Sequence, residues 1–217
     1  MKFAVLGTGI VGRTLAARLV ELGHEVVMGS RSASHPEALA WAEQAGEAAS
    51  VGTFADAAAS GEMVVNATGG MVTLLALEAA GAANLDGKVL IDVSNPLDFS
   101  QGFPPSLSVS NTDSLAEQVQ AAHPGARVVK TFNTMSAPVM VQPALVPGHH
   151  NVFLSGNDAE AKVQVADLQV SFGWPREDIL DLGDITTARG VEMFLPLWVR
   201  LFPVVGAPIF NVAVVRP

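Results

Sequence analysis

The stretch VLGTGIVGRTLAARLVELGHEVVMGSR, running from Val5 to Arg31, decides how the rest of the chain is read. Lys2–Leu6 is a short apolar run of strand type. Ile10–Leu22 places Val11, Leu15, Leu19 and Leu22 on one helical stripe, and Glu25–Met28 returns to strand. Between the first strand and the helix sits Gly7-Thr8-Gly9-Ile10-Val11-Gly12. This GxGxxG pattern is weak alone but informative at a strand-to-helix turn. Gly7 permits the turn, Gly9 leaves room for a pyrophosphate, and Gly12 lets the helix approach the sheet. The helix start offers free N–H groups to the anion. A dinucleotide is therefore expected on Gly7, Thr8, Gly9, Ile10, Val11 and Gly12.

The end of the second strand indicates which dinucleotide. Sites for NAD usually carry Asp or Glu there, whereas this chain has Gly29-Ser30-Arg31. A carboxylate would repel a 2′-phosphate; a guanidinium presents donors that match it. Ser30 is expected to donate a further hydrogen bond, with Ser32 or His35 nearby. The expected cofactor is NADP(H).

Composition agrees with a soluble enzyme-sized domain. The chain has 217 residues, 49% hydrophobic and 15% charged, enough for a sizeable core. A net charge of -9 argues against a nucleic-acid partner. With no cysteine, disulfides and thiolate chemistry are excluded. The chain enters its first strand directly, without a signal-peptide layout, so a cytoplasmic location is expected. Phe194–Val215 is apolar and long enough to span a bilayer. It also holds Pro196, Arg200, Pro203, Gly206, Pro208 and Asn211, so a broken helix and tail are expected and no membrane contact.

Strand-like and helix-like runs alternate to the end. Ser34-His-Pro-Glu37 reads as a capping box opening a helix toward Ala45. Val51 belongs to a third strand and Thr53–Ser60 to a short helix. Met63–Ala67, Lys88–Val93, Arg127–Phe132, Asn151–Leu154 and Ile179–Leu182 read as strands. Helices are expected near Met71–Ala80, Ser114–Ala122, Asp158–Phe172 (capped by Asn157), and from Thr186. This order implies a single α/β domain over residues 1–217, doubly wound, with a mainly parallel Rossmann-type sheet. Residues 186–217 add a C-terminal helix and apolar tail. The aromatic residues Trp198, Phe202 and Phe210 there are expected to form an acceptor pocket or a dimer interface.

Open α/β sheets bind ligands at the carboxyl edge of the strands. The strand ends at Thr68-Gly69-Gly70, Asn95-Pro96 and Asn133-Thr134-Met135 should therefore face the cofactor, the last two flanking the nicotinamide. The long loop Ser94–Asn111 is rich in Pro, Gly and Ser and is expected to be functional.

The fragments LGTGIVGRTLAARLVELGHEVVMGSR, VVKTFNTMSA and VFLSGNDAEAK carry a resemblance. The first resembles the NADPH-dependent reductases of the deazaflavin coenzyme F-420. The others are similar to the cytosolic oxidoreductase domain of the six-transmembrane epithelial antigen metalloreductases, which has the same fold. The resemblance covers nearly the whole chain. It implies that Thr8 to Val11 meet the pyrophosphate and that Ser30 and Arg31 take the 2′-phosphate. It also implies that residues near Asn95, Thr134 and Ala137 hold the nicotinamide amide, and that the protein is a homodimer. Two departures bear on the acceptor. The deazaflavin reductases carry histidine where this chain has Asn133, and the SNPLDF wording of the Pro-rich loop differs.

No Ser-His-Asp arrangement, HExxH or paired carboxylate stands out, so no catalytic residue and no metal are expected. Hydride transfer by positioning between NADP(H) and a deazaflavin (coenzyme F-420) or flavin (FMN or FAD) needs none. The alternatives are reduction of another small substrate such as an imine, or a non-catalytic NADPH-binding sensor. His149-His150 read as surface histidines, Asp181 and Asp184 as caps of the next helix, Arg189 and Glu192 as a helix-surface pair, and Met135 and Met140 as core filler.

Overall fold

A computed structural model describes residues 1–215; the last two residues of the 186–217 segment lie outside the described residues. The chain runs β1 (Lys2–Leu6), α1 (Ile10–Glu21), β2 (Glu25–Ser30), α2 (Pro36–Ala45), β3 (Ala49–Thr53), α3 (Phe54–Ser60) and β4 (Met63–Asn66). It continues with α4 (Thr73–Ala80), the single turn α5 (Ala82–Leu85), β5 (Val89–Asp92), and a small hairpin of β6 (Leu97–Asp98) and β7 (Ser106–Leu107). Then come α6 (Leu115–Ala122), β8 (Arg127–Lys130), α7 (Ala137–Val141), β9 (Val152–Leu154), α8 (Ala159–Ser171), β10 (Ile179–Asp181), α9 (Ala188–Met193) and α10 (Leu195–Val205).

Six strands form one sheet in the order β3-β2-β1-β4-β5-β8, all parallel. Strand order reverses between β1 and β4, and that reversal opens a crevice at their carboxyl ends. The parallel pair β9-β10 extends the edge through an antiparallel bridge between Lys130 and Ser155. The sheet is thus mainly parallel, as expected.

Side chains alternate across this sheet, which is why it carries two cores. Phe3 and Val5 of β1 pack with Leu15 and Leu19 of α1, Trp41 of α2 and Val165 of α8. Ala4 and Leu6 point the other way, toward Ala57 of α3, Leu77 of α4, Val119 of α6 and Val191 of α9. Covering both faces is what makes the strands near-continuous apolar runs.

Several helix starts differ from the sequence reading. Helix α2 begins at Pro36 with His35 at its N-cap, and the expected Ser34–Glu37 box does not form. Proline favours the first helical position, which moves the boundary one residue on. Glu37 instead pairs with Arg13 at 3.0 Å. Helix α8 is capped by Asp158, whose side chain accepts from Ala161 N. Asn157 instead receives Ile185 N. A capping box does form at α3, between Thr53 and Asp56. Thr53→Ala is expected to cost about 0.5–2 kcal/mol, read from the denaturant midpoint.

The apolar tail is more helical than its prolines suggest. Pro196 lies in the first turn of α10, where no N–H is needed, and Pro203 lies near its end. Gly206 closes the helix in the left-handed conformation, at φ 77°. The chain then turns back, and Asn151 N donates to Val212 O at 2.8 Å. Among the described residues no helix is long and apolar enough to cross a membrane.

Candidate functional site

The turn between β1 and α1 is held by backbone approach. Gly7 has φ 118°, and a Cβ there would stand 2.6 Å from Ala67 O, so only glycine fits. Thr8 is half-buried, and its carbonyl accepts from Arg13 at 2.9 Å. Arg13 thus braces the loop from inside the helix, a role not evident from its place in the pattern. No side chain caps α1 at Gly9, so the first-turn N–H groups face outward. Ile10 is 71% exposed at the helix start and Val11 is half-buried behind it.

Two adjoining clefts lie over this turn. The smaller is lined by Gly7, Thr8, Gly9, Ser30, Arg31, His35, Phe54, Ala67, Thr68 and Gly69. The larger, ≈ 520 Å³, runs from Gly9, Ile10 and Val11 past Thr68 and Gly69 to Ser94 and Asn95. Met71, Val72, Leu97 and Phe99 give it apolar walls. No carboxylate lines either cleft, in a chain whose net charge is -9. In the smaller cleft Arg31 is exposed and makes no hydrogen bond or ion pair among the described residues. His35 Nδ1 is buried there without a partner. The Ser30 hydroxyl is otherwise engaged: it donates to Ser32 O at 2.6 Å and accepts Ser32 N. Its expected donation to a ligand is therefore already used, and the exposed hydroxyls of Ser32 and Ser34 hydrogen-bond each other at 2.8 Å outside both clefts.

Of the remaining expected residues, Gly69, Gly70 and Asn95 line the larger cleft and the others lie behind it. Gly69 has open space around its would-be Cβ, whereas Gly70 is needed because a Cβ would collide with Asn95 O. Pro96 is buried beside Gly70. Asn95 and Asn133 clasp each other: Asn95 Nδ2 donates to Asn133 O at 2.9 Å, and Asn133 Nδ2 donates to Asn95 Oδ1 at 3.0 Å. Asn133 Nδ2 also reaches Val191 O, tying the loop to α9. Thr134, Met135 and Ala137 are buried and line neither cleft. Trp198 stacks on Phe202 and Phe210, and these three also lie outside both clefts.

Residues 2–96, which carry most of both clefts, match the family model described as NADP oxidoreductase, coenzyme F-420-dependent. The F-420-dependent NADP reductase of Methanothermobacter thermautotrophicus is 30% identical over 93% of this chain and 89% of its own length. The chain belongs to the coenzyme F-420-dependent NADP oxidoreductase family. A crystal structure of a candidate F-420-dependent NADP reductase from Arthrobacter sp. FB24 has 52% identity and a TM-score of 0.95, each chain covered in full. The rat metalloreductase STEAP3 is 32% identical over 93% of this chain, which spans 37% of that protein's length.

Beneath the clefts this family member carries a buried ionic network that the sequence reading missed. Lys130, fully buried, places Nζ 2.9 Å from Asp92 Oδ2 and 2.8 Å from Glu192 Oε1, and also donates to Ser94 O. Burial pulls its ammonium pKa down, but Asp92 and Glu192 outweigh that and hold it above the ordinary lysine value. Glu192 also accepts Leu115 N and Ala116 N at the start of α6, where negative charge is favoured. Glu192 is therefore not a surface partner of Arg189, which pairs with Glu117 instead. One signal was present: Asn66, Asp92 and Lys130 each close an apolar strand, and they are neighbours in register.

Other expectations resolve locally. Asp184 caps the turn before α9, but Asp181 pairs with Lys162. His149 is exposed beside Asp178. His150 is buried against Trp174 and hydrogen-bonded to Pro143 O and Asn211; it is a core histidine. Met135 and Met140 do sit in the core.

Proposed function

We propose that this chain transfers a hydride between NADP(H) and a deazaflavin of the coenzyme F-420 class. The observation that carries this reading is the junction of two clefts, one with a free guanidinium at a glycine turn, the other apolar-walled and free of acids. Arg31 and the first-turn N–H groups of α1 would bind the two phosphate ends. Phe54 gives an apolar wall beside them. Met71, Val72, Leu97 and Phe99 give the larger cleft apolar walls that would be covered, and water displaced, by a planar ring lying against the nicotinamide. When bound, the nicotinamide and the deazaflavin supply the redox chemistry. The protein's part is to orient and to keep water out, which agrees with the lack of any acid or base among the cleft's lining residues.

The test is anaerobic NADPH oxidation with F-420, FMN, FAD, a cyclic imine and ferric chelate side by side. Turnover with F-420 well above the others supports the reading. Preference for a flavin or an imine would overturn the acceptor, and absence of turnover with any acceptor would favour a sensor.

Arg31→Ala is expected to weaken NADPH binding roughly 10- to 150-fold, the worth of a charge-assisted contact, while NADH binding is unchanged. Calorimetry with both cofactors checks this. An equal loss for both would remove Arg31 as the reader of the 2′-phosphate.

A further inference from the structure

The buried network has a direction, and that direction reaches the cleft. Asp92 Oδ2 faces Lys130 Nζ. Asp92 Oδ1 accepts Asn66 Nδ2 at 2.8 Å, Ser94 Oγ at 2.7 Å and Ser94 N at 3.2 Å. Every neighbour of this carboxylate is a donor, so the Asn66 amide must turn its nitrogen toward it. The other end of that amide, Oδ1, then lies 2.7 Å from Thr68 Oγ1 and 3.3 Å from Thr68 N. A carbonyl oxygen cannot donate. The single hydroxyl hydrogen of Thr68 therefore points inward, to Asn66. Thr73 Oγ1, 3.0 Å from Thr68 Oγ1, has an acceptor of its own in Gly69 O.

What Thr68 has left for a ligand is a lone pair, and it lines both clefts where they meet. A pyrophosphate offers acceptors only and gains nothing from such an oxygen. The nicotinamide half of the cofactor offers donors: ribose hydroxyls and the carboxamide N–H. We infer that Lys130, acting through Asp92 and Asn66, holds the Thr68 hydroxyl as an acceptor that receives a donor from the nicotinamide half of the cofactor. Lys130, Asp92 and Asn66 are thereby positioning residues, and Thr68 is the contact. This rests on the NADP(H) reading above.

The experiment is calorimetry on the full chain with NADP⁺ and with adenosine 2′,5′-bisphosphate, which lacks the nicotinamide half. Thr68→Val is expected to weaken NADP⁺ roughly 2- to 12-fold and to leave the bisphosphate unchanged, and Thr68→Ser is expected to restore binding. Asn66→Ala should cost a similar factor, and the double variant no more than either single, because both remove one ordered contact. The nicotinic-acid analogue of NADP⁺, with carboxylate for carboxamide, separates the two donors. The Thr68→Val effect disappears with it if the carboxamide is bound and persists if the ribose is. Unchanged or tighter NADP⁺ binding by Thr68→Val overturns the inference, as does equal loss of both compounds. Full additivity with Asn66→Ala overturns the ordered chain. If Asn66→Ala does not fold, the Thr68 variants decide alone. A wild-type chain that binds neither compound would overturn the cofactor reading itself.

Discussion

Lys130→Met is expected to lower the unfolding free energy by about 3–5 kcal/mol, the usual cost of removing one partner from a buried ionic cluster. The methionine would fill much of the space but would leave Asp92 and Glu192 facing each other without a cation. Only backbone N–H groups of α6, Asn66 and Ser94 would then offset two carboxylates. For a domain of this size the loss corresponds to roughly 6–20 °C in Tm. Denaturant unfolding of wild type and variant at neutral pH measures it, and a difference below about 1 kcal/mol would show that the ammonium is not what holds the cluster. The pH dependence has a definite sign. The Lys130 pKa is raised in the folded state, so its contribution is fully present below the unfolded value of about 10.4. It is lost as pH rises through the folded value. Wild type and variant should therefore converge only in the alkaline range.

Gly9→Val is expected to eliminate dinucleotide binding while leaving the chain folded. The backbone at Gly9 has φ -70° and ψ 179°, a conformation any residue adopts. A Cβ there meets nothing within 4 Å. The side chain would project into open space where the two clefts join, over the first-turn N–H groups that a pyrophosphate needs. Gly12 is the contrasting control. A Cβ at Gly12 would lie 2.1 Å from Gly7 O, so Gly12→Val is expected to disrupt the turn and destabilise the protein. Calorimetry with NADPH, together with the melting temperature of each variant, distinguishes the two. Wild-type affinity in a folded Gly9→Val chain would take the glycine turn out of the binding site.

These glycines show how much of the site was legible in the sequence. The GxGxxG turn, Arg31 and the strand ends at Thr68 and Asn95 were readable because each follows from spacing within a single strand-turn-helix unit. The loop holding Leu97 and Phe99 was readable as functional, but its apolar residues had no pattern that tells a cleft wall from core, and Met71 read as the start of a helix that in fact begins at Thr73. The clasp between Asn95 and Asn133 joins residues 38 apart, and no local rule pairs them. Glu192 was misassigned for a related reason. At three residues from Arg189 it fits a surface ion pair, but α9 packs against α6, and this puts Glu192 inside, on Lys130 of β8.

By itself the sequence determined the alternation of strands and helices, the two-faced burial of the sheet and the dinucleotide turn. Each of these depends on periodicity or on backbone conformation, both of which are local. Only the tertiary structure decided which polar groups meet. Parallel pairing brings Asn66, Asp92 and Lys130 side by side at the ends of three strands drawn from separate parts of the chain. A lysine closing an apolar strand is equally compatible with solvent or with a buried partner. What selects the second is the packing of α9, which supplies Glu192 and excludes the water that would otherwise solvate the charge.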